Sequence, residues 1–253
     1  MKQHIPNAIT MLNVFSGCVA TVFAVLNQLE LAALFVFIGI IFDFLDGLAA
    51  RLLNVHSDLG VQLDSLADMI TSGLVPGIVM FQLLGMSQTG GWNMGLASGV
   101  TETMRWSAAK IPTLLPFFGF LITMASGYRL AKFNIDENQA TSFIGLPTPA
   151  NALLILSLPL ILFFHHNDYM NSIILNPWFL VGLTLLSSFL LNSKIELFAL
   201  KFKNWSFKDN ALRYIFIIVS LALLLTLKFL AVPAIIVFYV LSSIVTKASD
   251  KTL

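Results

Sequence analysis

The sequence predicts an all-α, polytopic membrane helix bundle. Two features of its composition say so: 57% of the 253 residues are hydrophobic against 11% charged, and the mean hydropathy is +0.86, far from a soluble average. A third is the recurrence of apolar runs along the whole length, long enough at 1.5 Å rise per residue to cross or nearly cross a hydrocarbon core of about 30 Å.

Eight such runs follow one another. The first, 8–26, resembles a signal peptide in length, but Asn13 and Ser16 interrupt it, no small-residue cleavage pattern follows, and more spans come after it. It reads as a retained span. The second and third, 31–51 and 60–84, are separated by eight residues and form a tight antiparallel hairpin centred near Val55 and His56. A fourth, 112–132, ends at Arg129 and Lys132. Gly145, Pro147 and Pro149 mark a turn before the fifth, 149–164, where proline at a helix start loses no hydrogen bond. The sixth is 174–191. Two shorter runs, 212–227 and 231–245, make a C-terminal hairpin around Lys228. Residues 1–192 are thus expected to form a six-helix core, and 193–253 a basic loop and the last two spans of the same membrane domain.

Lysine and arginine positions set the orientation, because positive loops stay in the cytoplasm. With an inner N-terminus, eleven basic residues face inward and only Arg105, Lys110 and Lys228 face outward. Both termini are therefore expected in the cytoplasm. A net charge of +1 gives no bulk attraction to nucleic acid, and the single cysteine, Cys18, excludes an intrachain disulfide. The outer loop 85–111, with Trp92 and Trp106, is expected to lie partly among headgroups, and the basic and aromatic segment 194–210 suits an interface or a solvated loop. His165, His166 and Asp168 fall in an outward loop and read as solvated polar residues.

The chemistry lies in "IFDFLDGLAARLLNVHSDLGVQLDSLADMI", residues 41–70. Asp43, Asp46, Gly47 and Ala50 share one helical stripe; Gly60, Asp64 and Asp68 share another on the next span. Four aspartates thereby reach similar depth below the inner surface. One aspartate at mid-bilayer costs about 2.5–3.5 kcal/mol, and four repel one another. Within the stretch only Arg51 and His56 offer positive charge, so pairing cannot neutralise them. Hard divalent cations can: carboxylate oxygens suit Mg²⁺, Mn²⁺ or Ca²⁺, and no Cys/His cluster favours zinc. Four carboxylates with space for phosphate oxygens are what a two-metal phosphoryl-transfer site requires. Gly47, Ala50 and Gly60 leave room for a nucleotide, and Arg51 at the mouth meets a phosphate. Asp58, in the turn, reads as solvated.

Written as a pattern, the stretch is D-x-x-D-G-x-x-A-R-x8-G-x-x-x-D-x-x-x-D, and it resembles the signature of the CDP-alcohol phosphotransferase family. The resemblance covers mainly the first six spans. It implies two ions, Mg²⁺ or Mn²⁺, one held by Asp43, Asp46 and Asp64 and the other by Asp43, Asp64 and Asp68. Asp68 would also serve as the base for the incoming alcohol, and Gly47, Arg51 and Ser57 would contact the CDP-lipid. Homodimerisation is implied as well. Three further segments, "IPNAITMLNVFSG", "GYRLAKFN" and "FIGLPTPANA", are similar to the integral-membrane, serine-accepting branch of that family, which implies CDP-diacylglycerol and L-serine as substrates. Sister enzymes that accept glycerol phosphate or inositol phosphate share the hairpin.

Two readings stay open for other residues. Arg129 and Lys132, three apart, either receive an acceptor's carboxylate or anchor the helix at the interface. Asn7, Thr10 and Asn13 share a face that either approaches the nucleotide or hydrogen-bonds between helices. A cation transporter is the rival of another class, but transport needs access from both sides, and no second acidic cluster or internal repeat accompanies the hairpin.

Overall fold

The computed structural model describes residues 4–55, 57–89, 114–135, 143–198 and 207–250. His56, Trp92, Trp106 and residues 199–206 of the basic segment lie outside the described residues, as do the basic residues Lys2, Arg105, Lys110 and Lys251. In hydrocarbon every backbone polar group needs an internal partner, and the apolar runs satisfy this by forming helices. The order is α1 (His4–Val25), α2 (Leu29–Leu53), α3 (Asp58–Asp68), a π-helical segment (Met69–Leu74), α4 (Val75–Thr89), a 3-10 turn (Leu115–Gly119), α5 (Phe120–Ile135), β1 (Phe143–Ile144), α6 (Thr148–His165), α7 (Asp168–Ile174), α8 (Pro177–Asn192), β2 (Glu196–Leu197), α9 (Phe207–Leu227), a 3-10 turn (Lys228–Leu230) and α10 (Ala231–Asp250). The chain is therefore an integral, multi-pass membrane protein.

Each of the eight apolar runs carries a helix, yet not all are uniform spans. Among the described residues, five stretches are long and apolar enough to cross a membrane: His4–Val25, Leu29–Leu53, Asp58–Gln88, Thr148–His165 and Asn210–Val245. A sixth arises if α7 and α8, bent by 58°, count as one broken span. The bend has a local cause, since Asn176 caps α8 by accepting from the amides of Trp178 and Phe179, and Pro177 opens that helix. The fourth run is shortened differently: its first turn is 3-10, leaving 16 residues of α-helix. The last stretch folds back at Lys228, whose φ is +50°, so that Phe216 stacks on Phe238 at 5.7 Å. The expected C-terminal hairpin is present.

Helices α1, α2 and the π segment form the closest part of the bundle. A Cβ on Gly17 would lie 2.5 Å from Thr71 Oγ1, and one on Gly39 would lie 2.7 Å from Thr71 Cγ2. Small residues at these crossings let the backbones approach, which is how helices associate where lipid removes the hydrophobic drive. Thr71 fills the gap and donates to Asn13 Oδ1 at 2.8 Å. The main apolar core, including Ala20, Ala32, Val36, Val79, Leu83, Ile155 and Leu180, lies to one side of this crossing. Phe15, Phe37, Phe44 and Phe189 are exposed and suit contact with lipid.

Candidate metal and phosphate site

Helix α2 ends at Leu53 because Asn54 takes the left-handed conformation and its amide bonds back to Ala50 and Arg51 carbonyls. Helix α3 begins five residues later, at Asp58, capped by Ser57, whose hydroxyl accepts from the Gly60 amide at 3.0 Å. This short turn sets the two acidic stripes face to face. Ligand oxygens of Asp43, Asp46 and Asp64 lie within 4.8 Å of one another. Asp68 stands outside that trio but within electrostatic reach of Asp43 and Asp64. Asp58 is exposed in the first turn of α3, in keeping with its solvated reading.

Neighbouring helices hold these carboxylates. Thr10 of α1 donates to Asp46 Oδ2 at 2.5 Å, and Thr148, first residue of α6, lies 3.5 Å from Asp68 Oδ2. Asp64 Oδ1 is buried and has no hydrogen-bond partner. A buried carboxylate oxygen left unpaired beside two further carboxylates fits a hard divalent ion, because a lone pair so placed needs a cation or a donor. The described acids are not wholly without a counter-charge, however. Arg129, from α5, comes within electrostatic reach of Asp68, a pairing that the hairpin sequence alone does not contain. Among the described residues, one guanidinium stands against four aspartates.

The remaining site candidates divide by location. Gly47 faces open space, with nothing within 4 Å of where a Cβ would stand, and its carbonyl accepts from Arg51 Nε at 3.0 Å. Arg51 is exposed, and Ala50 is half-buried beside it. At Gly60 a Cβ would meet Ser57 Oγ at 3.1 Å and Asn7 Oδ1 at 3.2 Å, so Asn7 lies at the mouth with Ser57 and Gly60. Thr10 and Asn13, the other residues of that helical face, instead bond to Asp46 and Thr71 across helices.

Arg129 and Lys132 line one pocket together with Phe133, Ile144, Leu191, Asn192 and Ser193. The guanidinium of Arg129 donates to the carbonyls of Ile144 and Gly145, each at 3.4 Å, while Lys132 is exposed. His165, expected in a loop, is the last residue of α6 and is engaged elsewhere, with Nε2 3.2 Å from Leu227 O, while Asp168 opens α7.

Sequence reasoning placed Thr10 on the right face without its partner and did not single out Thr148 at all. A hydroxyl on a span that crosses an acidic helix is a signal for the first. For Thr148 the signal is weaker: a threonine at the start of a helix, just after a proline-bounded turn.

Comparison with known proteins agrees with this geometry. The family model described as CDP-alcohol phosphatidyltransferase matches residues 3–189. Among curated proteins, the chain is 32% identical over 161 residues to the CDP-diacylglycerol–serine O-phosphatidyltransferase of Bacillus subtilis (strain 168), covering 61% of this chain and 76% of that one. It is 33% identical over 153 residues to the protein of that name from Helicobacter pylori (strain ATCC 700392 / 26695), covering 60% and 55%. For the Methanocaldococcus jannaschii protein of that name the figures are 30% over 183 residues, 72% and 71%. The matched region thus spans about half the length of some relatives and three-quarters of others.

Proposed function

The chain belongs to the CDP-alcohol phosphatidyltransferase family, and from that premise we propose that it transfers the phosphatidyl group of CDP-diacylglycerol to the hydroxyl of L-serine, giving phosphatidylserine and CMP. The observation that carries the reading is the convergence of Asp43, Asp46 and Asp64 in a membrane helix hairpin, in a chain whose relatives bear that activity in their names.

In this reading Asp43, Asp46 and Asp64 would hold one divalent ion, and Asp43, Asp64 and Asp68 a second, Mg²⁺ or Mn²⁺ in each case. Held there, such ions would neutralise the negative charge of the phosphate oxygens. The chain's own residues do the rest. Gly47, lacking a side chain, admits the diphosphate to the backbone of α2, and Ala50 and Gly60 keep the wall low. Arg51 and Ser57, at the cytoplasmic mouth, contact the nucleotide, with Asn7 beside them. Asp68, oriented by Thr148, accepts the proton of the serine hydroxyl. The serine oxygen then bonds to the phosphorus that carries the lipid, the bond from that phosphorus to the oxygen of CMP breaks, and CMP departs with its electron pair. Arg129 and Lys132 receive the acceptor's carboxylate in the pocket they line.

The surrounding expectations belong to the same proposal: both termini and the site face the cytoplasm, residues 1–192 are the catalytic core, and the protein works as a homodimer in its lipid bilayer. Purified protein given CDP-diacylglycerol with L-serine, glycerol 3-phosphate or inositol phosphate, each with and without Mg²⁺ or Mn²⁺, tests the reading through CMP release. Metal-dependent release with L-serine alone is the expected result. Release with glycerol 3-phosphate but not L-serine overturns the choice of acceptor.

A further inference from the structure

The last two helices lie beyond the residues matched by the family, 3–189, and they are lightly packed: only 11% of the apolar window in Asn210–Val245 is buried. Their turn packs on the end of α6, where Phe229 meets Phe164 at 5.0 Å, and a second set of contacts gathers around Phe198. Tyr239 Oη donates to Phe198 O at 2.9 Å, and the Phe198 amide donates to Ser243 Oγ at 3.4 Å. The ring of Phe198 meets Tyr239 and Phe216 edge-on, at 4.9 and 5.5 Å. Ile236 closes a small core with Leu146, Leu154 and Leu197, separate from the main one.

These contacts continue toward the reacting groups. Phe198 follows β2, and β2 pairs antiparallel with β1, Leu197 opposite Phe143. Next, the Gly145 amide donates to Ile195 O at 2.8 Å and that of Leu146 to Leu190 O at 2.9 Å. Gly145 has φ +72°, and a Cβ there would lie 2.6 Å from Leu191 O, a conformation and a clearance open only to glycine. Three residues on, Thr148 faces Asp68; one residue back, the Ile144 and Gly145 carbonyls hold Arg129.

We propose that the α9–α10 hairpin is a positioning element for the acceptor side of the site, acting through Tyr239, Ser243, Phe198 and the β1–β2 pair on the turn that presents Thr148 to Asp68 and fixes Arg129. The inference rests on the function proposed above. Two strands of two residues do not persist alone in water or lipid, and a turn at positive φ holds its shape only where its surroundings fix it. The end of α8 and the segment leading into β2 hold the turn directly, and the hairpin holds that segment at Phe198. The CDP-lipid residues, on α2 and α3, do not depend on it, so loosening the clasp weakens acceptor binding selectively.

Tyr239→Phe removes the hydrogen bond to Phe198 O, Ser243→Ala removes those of its hydroxyl to the Phe198 amide and to Tyr239 O, and both leave the apolar packing in place. Steady-state rates at varied acceptor and varied CDP-diacylglycerol, in one detergent, compare both with wild type and with Val237→Ala, a lipid-facing change on the same helix. Expected is a rise of about threefold or more in the acceptor KM for both clasp variants, with the KM for CDP-diacylglycerol within about twofold and the thermal midpoint close to wild type. Combining Tyr239→Phe with Thr148→Ser is expected to give a joint effect that departs from the product of the single effects, as for coupled residues. An unmoved acceptor KM in both clasp variants, a parallel rise in both KM values, or strict independence from Thr148 overturns the inference. The acceptor used is whichever one the wild type turns over. A wrong choice of serine therefore appears in the wild type, and a wrong inference appears only in the variants.

Discussion

A single hydroxyl on α1 carries much of the organisation of the acidic site. Asp46 is buried and accepts from Thr10. Without that donor the carboxylate is free to turn, so Thr10→Val should raise the Mg²⁺ or Mn²⁺ concentration for half-maximal activity by about 10- to 100-fold, the range found when an outer partner of a metal ligand is lost. Metal titration of the activity measures it, and an unchanged midpoint would separate Asp46 from metal binding. Asp68 makes a different demand. Asp68→Asn keeps the shape and removes the base, so kcat should fall about 10²- to 10⁴-fold while the KM for CDP-diacylglycerol changes little. A matching rise in that KM would mean that Asp68 mainly binds the lipid nucleotide. The sequence made the four aspartates legible because their spacing is chemical as well as helical. It could not show Arg129 near Asp68, since that approach depends on how α5 crosses α3 and not on any local pattern.

Helix by helix, glycines in similar surroundings play opposite parts. Gly39 sits where α2 touches Thr71 and Asn13, and a methyl group there would overlap both. Gly39→Ala should lower stability by about 1–3 kcal/mol, as overpacking does, and thermal unfolding in detergent reads it. Gly47, one polar stripe further along α2, borders empty space. Gly47→Ala should leave stability unchanged or raise it by up to about 1 kcal/mol, because alanine favours helix, yet lower kcat/KM for CDP-diacylglycerol. Equal behaviour of the two variants would deny Gly47 its place beside the nucleotide. Hydropathy predicted the long helices, since burial in lipid demands long apolar runs, but not α7, whose residues Asp168–Ile174 precede the sixth run. It predicted neither the bend between α7 and α8 nor the π segment after Asp68, because those arise from Asn176 capping and from crossings with other helices.

Across the whole molecule, basic residues give the direction of insertion. A membrane-impermeant thiol reagent should label Asp58→Cys from the cytoplasmic side and Asp168→Cys from the opposite side, each in a Cys18→Ser background; the reverse pattern would invert the proposed topology. The β1–β2 contact escaped the sequence reading for a related reason: it joins residues more than fifty apart in chain order through two residues on each side, too short for any periodic signal. The wider π turn at Met69–Leu74 bears on which versions of this chain can exist. A helix of that kind accommodates a surplus residue. Excising one amino acid there would let the backbone relax to regular pitch with the two halves of the span still facing their partners, whereas the same excision from a regular stretch of the span would turn one half against the other by about 100°. The stretch after Asp68 is therefore where this span best tolerates the loss of a single residue.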